Sequence, residues 1–284
     1  MFILKGFINF CRSSVLASVA IVILIGVIFM AVFADIITPH DPLKAYFTDL
    51  KKPPSAEFLM GTDHIGRDVL SRIILGSRIT IYVAIMSIFF GNGIGFIWGV
   101  TTGFFGGKLD LFSQRILDIL MAFPTVILAL LVLASIGAGL TSVIIAIAIS
   151  SVPNATRIIR SVSLSVSEMA YVDAARAIGA NPVRIMFKHI APQCIAPFMV
   201  IASAGLGVAI FAEAALSFLG MGIPPPTPTW GNMLGGVLAN VFKPPYWLVI
   251  APGVAITLTV LAFNLLGDSL RDYLDPRLRG RLEN

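Results

Sequence analysis

Six long apolar runs constrain this chain more than any other feature. They lie at about 15–33, 79–104, 119–136, 142–159, 194–216 and 246–266, and each is continuous rather than alternating. A helix needs about 20 apolar residues to cross roughly 30 Å of hydrocarbon, whereas the strands of a membrane barrel alternate. Composition agrees, because 57% of the residues are hydrophobic and only 12% are charged. We therefore predict an all-α integral membrane protein with six transmembrane helices in a lipid bilayer.

Basic residues predict how these helices are oriented. If the N-terminal segment 1–14 is cytoplasmic, 35–78 and 217–245 become long outer loops, and the tail 267–284 is cytoplasmic too. Of the 20 Lys and Arg residues, thirteen then fall on the inner side and seven on the outer side. Cytoplasmic loops carry such an excess of positive charge. The net charge of +5 is explained in this way without a nucleic-acid partner.

The first outer loop is predicted to contain a helix of its own. Residues 39–54 are rich in proline, which predicts an irregular loop. A helix is expected to begin after Gly61, with Thr62 or Asp63 as its N-cap. The apolar residues of this helix share one face, which predicts a helix lying on the membrane surface. No second His or Cys lies at ligand spacing from His64, so we interpret it as a surface histidine rather than a metal ligand.

Other features predict details of the spans. Gly91, Gly95 and Gly99 recur every four residues and leave one face almost without side chains, so another helix can approach closely, either within this chain or in a partner. Pro153 is expected to kink or end the regular part of the fourth span, and 108–118 is expected to be a short inner loop. Aromatic residues of the second outer loop and the start of the sixth span suit the membrane–water boundary; they are Trp230, Tyr246 and Trp247.

A polar island, YVDAARAIGANPVRIMFKHIAP, separates the fourth and fifth spans at residues 171–192. Alanines keep its first half thin, and Gly179 with Pro182 then breaks the helix. We predict two short helices joined by a tight turn, a shape thin enough to enter a cleft on another protein. An ordinary amphipathic hairpin, with its basic residues facing water, is the alternative.

This island resembles the cytoplasmic EAA loop of ABC importer permeases, which docks into a groove on the ATPase subunit. Asp173 replaces the family's leading Glu, and Ala191 replaces its usual Leu before the closing proline. Two further strings, GTDHIGRDVLSRIILGSR and FLGMGIPPPTPTWGNML, resemble the dipeptide, oligopeptide and nickel branch of these permeases. The resemblance implies the type I permease fold, a bacterial cytoplasmic (inner) membrane location and a coupling loop over 160–192. It also implies the residues of the ATPase contact and its frame, which are Asp173, Ala174, Ala175, Gly179, Ala180, Arg184 and Pro192.

The resemblance implies partners as well. They are a paralogous permease that forms a heterodimer with this chain, two ABC ATPase subunits and an extracytoplasmic solute-binding protein. ATP and Mg would be bound by the ATPase subunits, and no cofactor by this chain. The sequence agrees, because Gly106-Gly107-Lys108 is followed by Leu109 where a phosphate-binding loop needs Ser or Thr.

Glu213 is an acid well inside an apolar run, near the outer end of the fifth span. Charge inside a membrane is costly, so we expect Glu213 either near the translocation path or at a bend or headgroup that stabilises its carboxylate.

The branch implies transport of dipeptides or oligopeptides, with glutathione or nickel chelates as alternatives. An ion-coupled secondary transporter would need more charged groups at mid-membrane, and a membrane-embedded enzyme would need a cluster of His, Asp, Glu or Cys.

Overall fold

The computed structural model describes residues 15–240 and 244–274, and these are almost entirely helical. The predicted N-terminal segment 1–14 and residues 275–284 of the predicted tail lie outside the described residues. In chain order the helices are α1 (Val15–Val32), α2 (Ala34–Ile37), α3 (Val69–Phe105), α4 (Gly107–Met121), α5 (Thr125–Ile136), α6 (Leu140–Ser167), α7 (Ala170–Ala177), α8 (Pro182–Ile185), α9 (Ala191–Phe218), α10 (Trp230–Asn240) and α11 (Tyr246–Leu274). A π-helical turn, Met186–Ile190, joins α8 to α9.

Five helical segments are long and apolar enough to cross a membrane: α1, α3, α6, the unbroken stretch Pro182–Phe218, and α11. A sixth crossing is formed if α4 and α5, which are bent by 90° at their junction, count as one span. Large apolar side chains cover the outside of the bundle; Val22 is 70% exposed and Phe89 67%. Such a surface suits hydrocarbon rather than water, and the predicted all-helical membrane fold is confirmed.

The third predicted span needs correction. Residues 108–118, predicted as a loop, belong to the amphipathic helix α4, which includes Ile119 and ends at Met121. Pro124 causes the break, because proline lacks an N–H and disfavours helical backbone in the residue before it. The 12 residues of α5 extend only about 18 Å, too short to cross the hydrocarbon alone.

The predicted surface helix is also wrong. Asp68, rather than Thr62 or Asp63, caps α3, and its Oδ2 accepts a hydrogen bond from Ser71 N at 3.0 Å. From Val69 onward the helix runs directly into the second span. Asp63 instead closes a turn, where its Oδ1 accepts from the backbone N–H groups of Ile65 and Arg67, both at 2.9 Å.

The glycine face of α3 packs within the chain, against α6. A Cβ added at Gly91 would lie 2.5 Å from Ala148 O, one at Gly95 would lie 2.6 Å from Ala155 Cβ, and one at Gly99 would lie 2.7 Å from Thr156 O. Since real Cβ atoms do not approach this closely, only glycine permits the observed helix contact. Pro153 does not end α6, which continues to Ser167.

Trp230 is buried in the protein and does not face the surroundings of the bundle as predicted. It has no exposed surface, and its Nε1 donates a hydrogen bond to Ile73 O at 3.0 Å. It begins α10, which follows the proline-rich segment of the second outer loop. The N-terminal end of α3 and this loop are therefore tied together.

Candidate coupling surface and membrane cavity

The polar island forms a helical hairpin, Ala170–Ile190, which we term the coupling hairpin. Its turn has the predicted chemistry: Gly179 has φ +77°, and Asn181 Oδ1 caps α8 by accepting from Val183 N at 2.9 Å. One expectation was wrong. The second arm is not a separate short helix, because α8, the π-helical turn and α9 form one helical stretch from Pro182 to Phe218.

One face of the coupling hairpin is anchored to the spans. Its buried residues pack with the C-terminal parts of α3 and α6 and the start of α9. The buried set is Val172, Ala175, Ile185, Met186 and Ile190 of the hairpin, Val100 of α3, Ile159 and Val166 of α6, and Ala191 and Cys194 of α9. The hairpin is therefore packed against three spans.

Elsewhere the hairpin presents apolar side chains that no residue in 15–240 or 244–274 covers. Ile178 is 85% exposed, Phe187 61% and Val183 52%. Exposed apolar groups that cluster on one surface mark protein or membrane contacts. These three residues were not predicted from the sequence, where the available signal was large apolar side chains within a polar segment.

The residues implied by the resemblance fall into two groups. Asp173, Ala174, Gly179, Arg184 and Pro192 are exposed, whereas Ala175 is buried and Ala180 is partly buried against the hairpin's anchor. Asp173 pairs with Arg176, whose Nη1 lies 3.2 Å from Asp173 Oδ1. The guanidinium of Arg176 also lies over the ring of Phe104. Arg184 has no acidic partner in the described part of the chain. It is therefore available to an acidic group on another protein.

A cavity of about 350 Å³ lies within the spans, between α3, α5, α6 and α9. Its lining contains no Asp, Glu, Lys, Arg or His; the polar lining consists of Asn92, Thr125, Ser150, Ser151 and Asn154. Asn92 is only 4% exposed, and its amide makes no hydrogen bond to a described residue. A smaller cavity at the α4–α5 break shares Thr125, Ser150 and Asn154 with it. We term the larger one the membrane cavity.

Glu213 has no exposed surface and does not line the membrane cavity. Ser217 Oγ donates to its Oε1 at 2.8 Å, and Thr80 Oγ1 lies 3.4 Å from its Oε2. Two hydroxyl groups on α3 and α9 thus satisfy the carboxyl group inside the bundle. A role of Glu213 near the translocation path stays a prediction.

Comparison with known proteins agrees with this architecture. Residues 91–280 match the family of binding-protein-dependent transport system inner membrane components, and residues 10–54 match the N-terminal TM domain of oligopeptide transport permease C. The chain is 39% identical over 270 residues to the glutathione transport system permease protein GsiD of Escherichia coli O1:K1, covering 95% of this chain and 89% of that one. It is 40% identical over 272 residues to GsiD of Pectobacterium atrosepticum, covering 95% and 90%.

A solved structure shows the same fold. Inward-facing MetNI methionine ABC transporter contains a chain that superposes with a TM-score of 0.55 at 20% identity, covering 70% of this chain and 95% of that one. The sequence match spans nearly the whole chain, and the fold, hairpin and spans agree with it. The chain therefore belongs to the permease family of binding-protein-dependent ABC importers, the inner membrane components of these systems.

Proposed function

We propose that this chain forms half of the translocation pathway of an ATP-driven importer of short peptides, and that glutathione is the first solute to test. The observation that carries the proposal is the 39% identity to a glutathione permease across 95% of the chain. Glutathione was an alternative to the predicted dipeptides and oligopeptides, and it is itself a tripeptide. A paralogous permease would supply the other half of the pathway, and a solute-binding protein would deliver the solute.

The coupling hairpin would receive the force. We propose that two ATPase subunits bind ATP and Mg, and that one of them covers the exposed face of Ile178, Val183 and Phe187. Burying these side chains would give the contact its affinity. Arg184 would pair with an acidic group at the rim, where charge contributes more to orientation than to affinity.

The helical stretch Pro182–Phe218 would transmit that force. It has 37 residues and is therefore about 55 Å long if straight. It begins in the coupling hairpin and includes Ala204, Gly205 and Ala209, which line the membrane cavity. A displacement of the hairpin would thus move a wall of the cavity directly, without a flexible joint between them.

The membrane cavity would contact the solute. Amide and hydroxyl groups can exchange hydrogen bonds with peptide groups, whose donors and acceptors are alike in every peptide. A lining without ionisable groups also neither attracts nor repels a given charge. The solute-binding protein, rather than this cavity, would then select among peptides.

The test is reconstitution of the chain with its paralogue and the ATPase subunits in proteoliposomes that trap ATP on the ATPase side, with radiolabelled glutathione and the solute-binding protein outside. We expect uptake that requires ATP. Uptake that follows an ion gradient without the ATPase subunits would instead identify a secondary transporter.

A hairpin variant tests the coupling step. Ile178→Asp should reduce co-purification of the ATPase about tenfold or more, because a charge would have to be buried in the contact. Ile178 is a cleaner choice than Gly179, whose positive φ would add backbone strain to any substitution. Leu109→Asp is the control, because Leu109 is also an exposed apolar residue but lies on α4, outside residues 160–192. Equal loss in both variants would contradict the assignment.

A further inference from the structure

A second cavity, of about 210 Å³, lies where the first outer loop meets the outer ends of α3, α10 and α11. Its polar lining is Asp63, His64, Arg67, Arg72 and Asn232, and the rest is mostly apolar. We term it the outer arginine cavity. In the predicted orientation it lies on the side from which the solute arrives.

Asp63 forms an ion pair with Arg67. Its Oδ2 accepts from Arg67 Nε at 2.7 Å, and its Oδ1 accepts two backbone N–H groups. These three hydrogen bonds use most of the accepting capacity of the carboxylate. One acid of the cavity is therefore already neutralised by one arginine.

Arg72 is a buried cation that shares its nearest acid, Asp63, with Arg67. It is 4% exposed, and its one hydrogen bond to a described residue is from Nη1 to Pro42 O at 3.2 Å. Its Nε lies 3.8 Å from Asp63 Oδ2, beyond hydrogen-bond distance. Burying a charge is costly unless a partner compensates it.

Other outer acids do not supply that partner. Asp68 does not line the cavity and forms no ion pair with Arg72; its Oδ2 accepts from Ser71 and lies 3.6 Å from His40 Nδ1, and its Oδ1 is buried without a hydrogen-bond partner. Asp35 pairs with Arg78, and Asp49 pairs with Lys52. The sequence of residues 237–243, beside the lining residue Gly236, contains no acid.

We propose that the outer arginine cavity binds a carboxylate group, held by the guanidinium of Arg72. An arginine presents a planar fork of donors that matches a carboxylate. His64 lines the same cavity, and its Nδ1 is buried without a hydrogen-bond partner. Burial lowers the pKa of His64, so the imidazole is neutral near pH 7 and can donate a hydrogen bond without an added charge.

Size limits the ligand to a carboxyl group with few further atoms, since 210 Å³ does not hold a whole peptide. Two sources share this chemistry: a carboxylate of the arriving solute, and an acidic side chain of the solute-binding protein. The choice between them rests on the proposed function, whereas binding of a carboxylate to the chain does not.

The test uses the purified full-length chain in detergent at about pH 7.5, where acetate is ionised and His64 is neutral. Acetate is titrated at constant ionic strength against acetamide, its uncharged analogue, and the unfolding temperature reports binding. We expect a saturable rise with acetate and none with acetamide. Arg72→Gln should weaken the apparent acetate affinity about tenfold or more, because a charged hydrogen-bonding partner is lost.

Two further variants keep the test decisive. Arg157→Gln is the matched control, because Arg157 pairs with Asp118 at 2.7 Å near the other end of the bundle, and it should bind acetate as wild type does. Asp63→Asn should tighten acetate binding, because it removes the competing charge but keeps an oxygen for the two backbone N–H groups. Equal responses to acetate and acetamide, wild-type acetate affinity in Arg72→Gln, or no tightening in Asp63→Asn would each overturn the proposal.

The molecule that supplies the carboxylate, either the solute or the solute-binding protein, is then identified in the reconstituted importer. If the solute supplies the carboxylate, Arg72→Gln lowers uptake of glutathione but not the affinity for the empty solute-binding protein. If the binding protein supplies it, that affinity falls even without solute. Both results support the site, and failure of ATP-driven uptake in wild type would count against the proposed function alone.

Discussion

Gly91→Ala tests the close contact between α3 and α6. The added Cβ would lie 2.5 Å from Ala148 O and 2.9 Å from Ala148 Cα, both backbone atoms in the middle of α6. Neither atom can rotate away as a side chain could. The matched control is Gly93→Ala on the same helix, where an added Cβ would have no neighbour within 4 Å.

The cost follows from these distances. An ordinary contact is about 3.5 Å or more, so α3 and α6 must separate locally by about 1 Å to admit the methyl group. Over-packing of this kind costs about 1–3 kcal/mol. Lipid offers no compensating gain, because the helices associate through this close packing. Gly93→Ala has no such cost and gains up to about 1 kcal/mol of helix propensity.

The assay is reversible unfolding of the purified chain in mixed detergent micelles, with the free energy of unfolding obtained for both variants and wild type. We expect Gly91→Ala to be less stable than wild type by about 1–3 kcal/mol and Gly93→Ala to be at least as stable as wild type. If the two alanine variants have the same stability, the glycine face does not set the α3–α6 distance.

Three more outcomes follow from single residues. Burial lowers the pKa of His64, so the unfolded state binds a proton more readily than the folded state does. This residue therefore lowers the stability of the fold as pH falls through about 6.5. His64→Gln should reduce the fall in unfolding temperature between about pH 7 and 5. Glu213→Gln should keep both the fold and glutathione uptake, since the amide oxygen can still accept from Ser217, and lost uptake with an unchanged unfolding temperature would instead place the carboxylate in the pathway. Trp230→Phe should destabilise the chain by about 1–3 kcal/mol in the same unfolding assay, because it removes the bond to Ile73 O and leaves space; an unchanged stability would contradict the tie between α10 and α3.

Much of the fold follows from local patterns that the sequence displays. Continuous apolar runs located the spans, and Gly179, Asn181 and Pro182 located the turn of the coupling hairpin, because each acts on its own backbone. The glycine face was also visible at residues 91–99, although only the structure shows that its partner is α6.

Some errors arose from local hydrogen bonds and others from contacts between residues distant in the chain. Asp68 caps α3 because residues 61–67 are held in a turn by Asp63, and composition alone did not distinguish the two acids. Trp230 is buried by Ile73, which is 157 residues away in the chain. The membrane cavity and the outer arginine cavity are each lined by side chains from several helices, so no single segment of the sequence predicts them.

The central claim is that the exposed face of the coupling hairpin lies in the cytoplasm and is covered by the ATPase. The most direct test introduces Ile178→Cys into a chain in which Cys11 is replaced by Ser and the buried Cys194 by Ala, and labels it with a membrane-impermeant maleimide. We predict rapid labelling in inside-out vesicles, none in right-side-out vesicles, and strong protection when the ATPase subunits are bound. Labelling from the outside, or equal labelling with and without the ATPase subunits, would contradict the account.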